Sequence, residues 1–114
     1  MNILDQKIGK LWEKVMELDG TKIEYIHGGK TYAVTVSIED AARFAEYYFA
    51  ILKTEKEVVS FTVRKVDLPF TPGKGDHFVF QGKKHVVFQT SGKDFFEYAD
   101  TSFQALRIAG YRND

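Results

Sequence analysis

The chain has 114 residues, is 44% hydrophobic and 28% charged, and contains no cysteine, which fits one globular domain and excludes a disulfide scaffold or thiolate metal site. Its formal net charge of zero opposes a protein that coats nucleic acid, because that affinity comes from Lys and Arg on phosphates. The sequence contains no apolar run of the roughly 20 residues that a membrane span needs. Its start, MNILDQKIGK, carries charges where a signal peptide has an apolar run. We therefore expect a soluble protein of a reducing cytoplasm.

The first predicted element is an amphipathic helix over residues 3–18, ended by Gly20. Apolar residues recur there at alternating steps of four and three, at Leu4, Ile8, Leu11, Val15 and Leu18. Trp12 and Met16 widen this stripe. We expect the helix to dock on the domain's own sheet. A coiled-coil seam is the alternative, although two heptads are too short to form one unaided.

A β-hairpin is predicted over residues 21–37, where TKIEYIHGGKTYAVTVS alternates in period two around Gly28 and Gly29. Because glycine tolerates the positive φ of tight hairpin turns, residues 21–27 should pair with residues 31–37.

An inserted helix is predicted over residues 38–53. SIED, at its start, resembles a capping box, and apolar residues then follow helical spacing. They exceed what one helix face can bury, so either the helix lies in a deep groove of its own domain or the surplus packs on a neighbouring subunit. The candidates for such a subunit interface are Phe44, Tyr47, Tyr48 and Phe49.

The rest of the chain predicts an antiparallel β-meander over residues 57–109. Its first and last strands are predicted at residues 57–68 and 101–109. Between them, HFVFQ and HVVFQ should form a hairpin that turns at Gly82. PFTPGKG must leave the ladder because proline cannot donate, and 91–93 is a turn. Five or six such strands close most economically into a small barrel. The expected fold is therefore α+β, mainly β: one domain, 1–114, with a barrel or meander, an N-terminal helix and one inserted helix.

The three histidines, His27, His77 and His85, do not predict a metal site. With a two-residue turn at 81–82, His77 and His85 face opposite sides of the sheet; with a three-residue turn they share a face but lie about 13 Å apart. Neither register brings their nitrogens to one ion, so we expect exposed or rim histidines.

The remaining patterns do not indicate an enzyme, and no catalytic, cofactor-binding or metal residue is predicted. No serine occupies a strand-to-helix elbow. PGKGDH precedes a strand, whereas a phosphate cradle needs a helix there. Glu39 and Asp40, at a predicted helix start, are typical of acids that complement the helix dipole.

Lysines fall in predicted turns at both ends of the sheet, with Lys74 and Lys93 at one end and Lys83 and Lys84 at the other. Such lysines commonly keep turns soluble. The alternative is that, in a ring of copies, symmetry multiplies their charge into a collar that meets a DNA backbone.

The order of parts resembles the lambda-type bacteriophage head-tail joining protein, also called the head completion or stopper protein. The resemblance rests on the helix, the hairpin and a series of later residues, and it covers most of the chain. Those residues are Phe61, Thr62, Val63, Arg64, Asp67, Gly75, Asp76, Gly82 and Leu106. Where lambda-type members carry a long polar loop, this chain has AARFAEYYFAILK.

This resemblance implies a structural protein of the virion neck, assembled in the bacterial host cytoplasm without a cofactor. It implies a homo-oligomeric ring at the portal vertex that helps retain packaged DNA, contacts it non-specifically, binds the portal or adaptor protein and docks the tail. The candidate contact residues are Phe70, Thr71, Lys74, Lys83, Lys84 and Lys93. Deleting residues 70–74 should then abolish tail attachment and leave the fold intact.

Two alternatives stay open. One is another virion neck or tail component, such as a tail terminator, which also forms rings. The other is a monomeric small β-barrel that binds nucleic acid or peptide through aromatic residues on an exposed sheet face. Phe78, Phe80, Val86 and Phe88 would share such a face only in the three-residue-turn register.

Overall fold

The computed structural model describes residues 3–39, 57–90 and 92–112. In these ranges one α-helix, α1 (Ile3–Asp19), precedes seven strands. The strands are β1 (Thr21–His27), β2 (Lys30–Glu39), β3 (Val58–Arg64), β4 (His77–Phe80), β5 (Lys83–Val87), β6 (Glu97–Tyr98) and β7 (Ala105–Arg112). None of the helical structure in these ranges is both long and apolar enough to cross a bilayer.

Six strands of the described part close into an antiparallel barrel, which confirms the predicted mainly β fold. Their order is β3-β2-β1-β4-β5-β7, and β7 pairs back onto β3. The short β6 pairs with the first half of β7. Alternate residues of each strand point inward, as period-two patterning requires. The largest fully buried apolar side chains are Tyr25, Phe61, Phe78 and Ile108.

The hairpin predicted over residues 21–37 is present, and its register pairs Thr21 with Val36 and His27 with Lys30. The 28–29 turn holds both glycines at positive φ, 58° and 79°. Such values are what a tight hairpin turn requires and what side-chain-bearing residues adopt rarely. The local turn chemistry therefore determines this pairing.

The helix predicted over residues 38–53 is wrong at its first two residues. Ile38 and Glu39 belong to β2 and pair with Phe61 and Ser60 of β3. The Glu39 carboxylate, which resembled part of a helix cap, accepts hydrogen bonds across the sheet instead, from Thr62 Oγ1 at 2.6 Å among others. The rest of that prediction lies outside the described residues, together with the interface candidates Phe44, Tyr47, Tyr48 and Phe49.

Residues 57–109 do not form an uninterrupted meander. β3 ends at Arg64 in a 3-10 turn (Lys65–Asp67), and the next strand, β4, pairs with β1 instead of β3. The last strand starts at Ala105 and not at residue 101. The physical reason is closure: β2 and β7 occupy both edges of β3, so β4 finds its hydrogen-bonding partner at the free edge of β1.

The register places the chain connections at two ends of the barrel. The 28–29 turn, the 65–76 connection and the 88–104 segment lie at one end, which we call the lid end. The 81–82 turn lies at the other end, the hairpin end. Helix α1 lies outside the barrel, where Trp12 Nε1 donates to Asp100 Oδ2 at 3.0 Å, and it ends as predicted before Gly20.

Candidate functional site

Asp76 fastens the 69–76 loop, which we call the lid, over one end of the barrel. Its side chain is 3% exposed. Its carboxylate accepts hydrogen bonds from Tyr25 Oη at 2.7 Å, from the Gly73 backbone N–H at 2.9 Å and from His27 Nδ1 at 2.8 Å. A carboxylate can only accept, so His27 carries a proton on Nδ1. One buried acid thus joins the lid to two core-facing positions of β1.

Phe70 is the apolar part of the same closure. Its ring stacks on His27 with centroids 4.3 Å apart and lies 5.0 Å from Tyr25 and 4.8 Å from Tyr32. The ring packs against the barrel core. Deleting residues 70–74 would uncover Tyr25 and remove one donor to Asp76, so these contacts predict that the deletion also destabilises the fold.

The environment of Tyr25 keeps its phenol neutral. Burial first, and then the hydrogen bond and negative charge of Asp76, raise the pKa of Tyr25 far above its ordinary value. A neutral hydroxyl is the donor that the carboxylate needs. Tyr25 therefore remains a hydrogen-bond donor to Asp76 at neutral pH and above.

The contacts of His27 and Asp76 hold the lid against β1. An imidazole oriented by a carboxylate is also the arrangement of a general base in hydrolases. Here, however, the same carboxylate binds Tyr25 and Gly73, and Phe70 covers one face of the imidazole. No cluster of three or more His, Asp or Glu in the described ranges could hold a metal ion.

The histidine predictions are partly wrong. His85, expected to be exposed or at a rim, is 1% exposed and stacks on Phe78 at 5.1 Å. It pairs with Phe78 because the 81–82 turn has two residues, with Gln81 and Gly82 at φ 52° and 74°. This is the register in which His77 and His85 face opposite sides.

The same register divides the aromatic set on which the binding-module alternative depends. Phe78 lies in the barrel core, whereas Phe88 packs in a separate cluster with Ala109. The four residues therefore do not form one exposed aromatic face of the kind that stacks nucleic-acid bases.

A groove of about 490 Å³ separates α1 from the lid end of the barrel. We call it the helix groove; α1 contributes Gly9, Trp12 and Glu13, and the barrel contributes Val66 and Phe103, among others. Val66 and Phe103 are 82% and 59% exposed. The groove was missed because its two walls are distant in sequence.

Charges at the helix groove are partly satisfied within the chain. Arg64 Nε donates to Asp67 Oδ2 at 2.9 Å, and this hydrogen bond raises the pKa of Arg64. Glu13 lies 3.8 Å from the same guanidinium and remains largely exposed. Lys65 Nζ lies 5.9 Å from the centre of the Tyr98 ring. The rim therefore presents the Glu13 carboxylate outward.

The predicted contact residues lie at both ends of the barrel. Lys74 and Lys93 are exposed at the lid end, and Lys83 and Lys84, the first residues of β5, are exposed near the hairpin end. Thr71 is exposed on the lid, whereas Phe70 points its ring at the core. Comparisons of this chain with protein-family models, with curated proteins and with solved structures found no match.

Proposed function

We propose that this chain is a structural subunit of a bacteriophage or prophage neck, of the head-tail joining class. In this role it forms a ring at the portal vertex, helps retain packaged DNA and provides the platform on which the tail docks. The observation that carries the proposal is the lid: a loop held by a buried carboxylate on a closed barrel, with Thr71 and Lys74 presented outward.

The residues that carry the family resemblance have defined tasks in this architecture, and this supports the proposal. Arg64, the last residue of β3, hydrogen-bonds to Asp67. Asp76 fastens the lid, Gly82 supplies a positive φ in the β4–β5 turn, and Leu106 is buried in the core. The resemblance therefore falls on the residues that build a stiff barrel and its lid.

A docking platform needs stiffness, because loops that are ordered only on binding lose affinity to that ordering. The lid meets this need through the three hydrogen bonds of Asp76 and the stacking of Phe70. Its outer residues can then meet a partner without rearrangement.

Deletion of the gene in its bacterial host, followed by induction and electron microscopy, tests the proposal. We expect DNA-filled heads without tails beside free tails of normal length, and restoration by the wild-type gene. Complementation with the Thr71→Glu/Lys74→Glu variant should yield at least about tenfold fewer infectious particles than complementation with the wild-type gene. The reason is that placing negative charge where a docking contact carries a lysine weakens the contact by about this factor or more. The matched control is Lys22→Glu, which reverses an exposed charge on the wall of β1 and should complement fully.

Tails of uncontrolled length would identify a tail terminator instead. Unchanged particle production after deletion of the gene would contradict the proposed role. Full complementation by the Thr71→Glu/Lys74→Glu variant would contradict the proposed contact.

A further inference from the structure

We propose that the groove between the lid and β6 binds an extended, acidic segment of a partner protein, which adds to β6 as a further antiparallel strand. We call this cavity the lid groove. Because the segment belongs to the protein that docks on the lid end, the proposal rests on the proposed function for the partner's place but not for its chemistry.

The lid groove has a volume of about 360 Å³. Pro69, Phe70 and Pro72 of the lid line one side of it, and Phe96 and Tyr98 line the other. The rings of Phe96 and Tyr98 meet edge-on with centroids 5.6 Å apart, and Tyr98 is 40% exposed. The groove therefore has room for a large apolar side chain and not for a folded domain.

Strand β6 has an open backbone edge. In the sheet that the described residues form, β6 is the last strand and has β7 on one side. Residues of an antiparallel pair alternate between hydrogen-bonded and non-hydrogen-bonded positions. The Ala99 N–H donates to the Ala105 carbonyl at 2.9 Å, so the preceding residue, Tyr98, directs its own N–H and C=O away from β7. Such an edge pairs with the backbone of an extended chain.

This open edge faces the lid. Strand β6 pairs with the same edge of β7 that β5 uses further along, because β3 occupies the opposite edge. At the lid end β6 therefore takes the place of β5, and its outer edge faces the side on which the lid runs into β4. A strand added to β6 would lie between β6 and the lid, along the lid groove.

The charge at the lid groove favours an acidic segment. Among the described residues that line it, Lys65 alone carries a charge, and its side chain is exposed. The acids that lie near it along the chain are already paired. Asp67 binds Arg64 at 2.9 Å. Glu97 lies 3.5 Å from Arg107. A carboxylate on the added strand would therefore meet a lysine whose charge these two acids do not neutralise.

These features define a sequence pattern for the partner. Side chains opposite Phe96 and Tyr98 belong to residues two apart on the added strand, because alternate residues of a strand face the same way. The first is apolar. The second is acidic, since Lys65 Nζ lies 5.9 Å from the centre of the Tyr98 ring. A nucleic acid would not repeat the N–H and C=O spacing of a strand edge, so the open edge favours a polypeptide.

Selection of a random-peptide display library on the full-length chain tests the partner's chemistry. We expect the enriched peptides to place Asp or Glu two residues from an aromatic or aliphatic residue. In fluorescence anisotropy, an enriched peptide should bind Lys65→Glu protein at least about tenfold more weakly than the natural chain, the usual effect of reversing a charge at a contact. The matched control is Lys83→Glu, which reverses an exposed charge at the hairpin end and should bind normally.

Amide hydrogen exchange, followed by NMR, tests the strand addition itself. At a peptide concentration of about ten times the dissociation constant, exchange of the Tyr98 N–H should slow about tenfold, because the added strand supplies an acceptor and only the unbound fraction exchanges. The Ala99 N–H, already bonded to Ala105, should change less and serves as the internal control.

No enriched peptide, enrichment without an acidic residue, unchanged binding by Lys65→Glu protein, or unchanged exchange at Tyr98 would overturn the proposed site. Displacement of the peptide by a thymidine oligonucleotide would assign the lid groove to nucleic acid instead. Self-association that Lys65→Glu abolishes would assign it to a second copy of this chain.

These measurements use purified protein and are separate from the gene deletion. Tail-less heads after deletion, together with a selection that enriches no acidic peptide, would leave the connector role standing and remove only this site.

Discussion

At the scale of single residues, Asp76 explains the organisation of the lid end. Its carboxylate satisfies the Tyr25 hydroxyl, the Gly73 N–H and the His27 imidazole, and Phe70 covers that imidazole. A buried carboxylate without such donors would be strongly destabilising. Asp76 is therefore an architectural residue.

Tyr25→Phe should change how stability depends on pH. The folded-state pKa of Tyr25 is raised far above the unfolded value of about 10, so its contribution is complete below that pH and is lost as pH rises. Between about pH 9 and about pH 11, the free energy of unfolding of the natural chain should fall by about 1.4 kcal/mol more than that of the variant. At neutral pH the variant should be less stable by about 1.5–3 kcal/mol, the value of a hydrogen bond to a charged group.

Urea unfolding of both proteins at several pH values gives this difference, and the contribution of the other tyrosines and the lysines cancels in the comparison. Parallel curves for the two proteins above about pH 10 would show that Tyr25 ionises as easily in the folded barrel as in the unfolded chain.

At the scale of elements, β7 is the strand that closes the barrel, and it depends on a close approach at Gly110. A Cβ on Gly110 would lie 2.5 Å from Phe78 Cε1 and 3.1 Å from His85 Cβ. The residue is paired with Val59 and Val87, so both neighbouring strands hold it in place. The stacked rings of Phe78 and His85 occupy the space that glycine leaves.

Gly110→Ala should destabilise the protein by about 1–3 kcal/mol, the usual cost of inserting a methyl group into a packed core. The matched control is Gly73→Ala, because a Cβ there meets only the Thr71 carbonyl at 4.0 Å and the φ is not positive. The control should be neutral or stabilising by up to about 1 kcal/mol. Thermal unfolding measures both, and equal melting temperatures for the two variants would contradict the close approach.

At the scale of the whole molecule, the barrel and α1 are held by interactions of different strength. Every barrel strand pairs on both sides, whereas α1 packs with half-buried side chains such as Ile8, Val15 and Met16. Regions with few buried contacts open at lower free energy than the core. Helix α1 should therefore detach before the barrel unfolds.

Urea unfolding of the monomer can separate the two events, because Trp12 on α1 is the chain's single tryptophan. Its fluorescence should change at a lower urea concentration than the one at which the backbone amides of β3 and β7 lose their protection from hydrogen exchange, which follows the barrel. Leu11→Ala, at an exposed position, should leave both midpoints unchanged. Coincident midpoints would show that helix and barrel unfold as one unit.

The sequence alone determined the elements that neighbouring residues encode. The repeat of Leu4, Ile8, Leu11, Val15 and Leu18 indicated α1, and Gly28, Gly29 and Gly82 marked the two hairpin turns. The expectation that this whole stripe docks on the sheet was wrong for Leu11 and Leu18, which are exposed. These signals are local, because a helix period, a strand period or a positive φ depends on a few consecutive residues. The mainly β class and the barrel follow from them, since antiparallel strands must pair their edges.

Only the tertiary structure decided which distant residues meet. It paired β4 with β1, drew Glu39 into β2, buried His85 against Phe78, and brought Asp76 and Phe70 onto β1. It also set α1 beside Val66 and Phe103 to form the helix groove. The physical reason is that partner choice among strands depends on which edges remain free once the barrel closes, and this is a property of the whole chain.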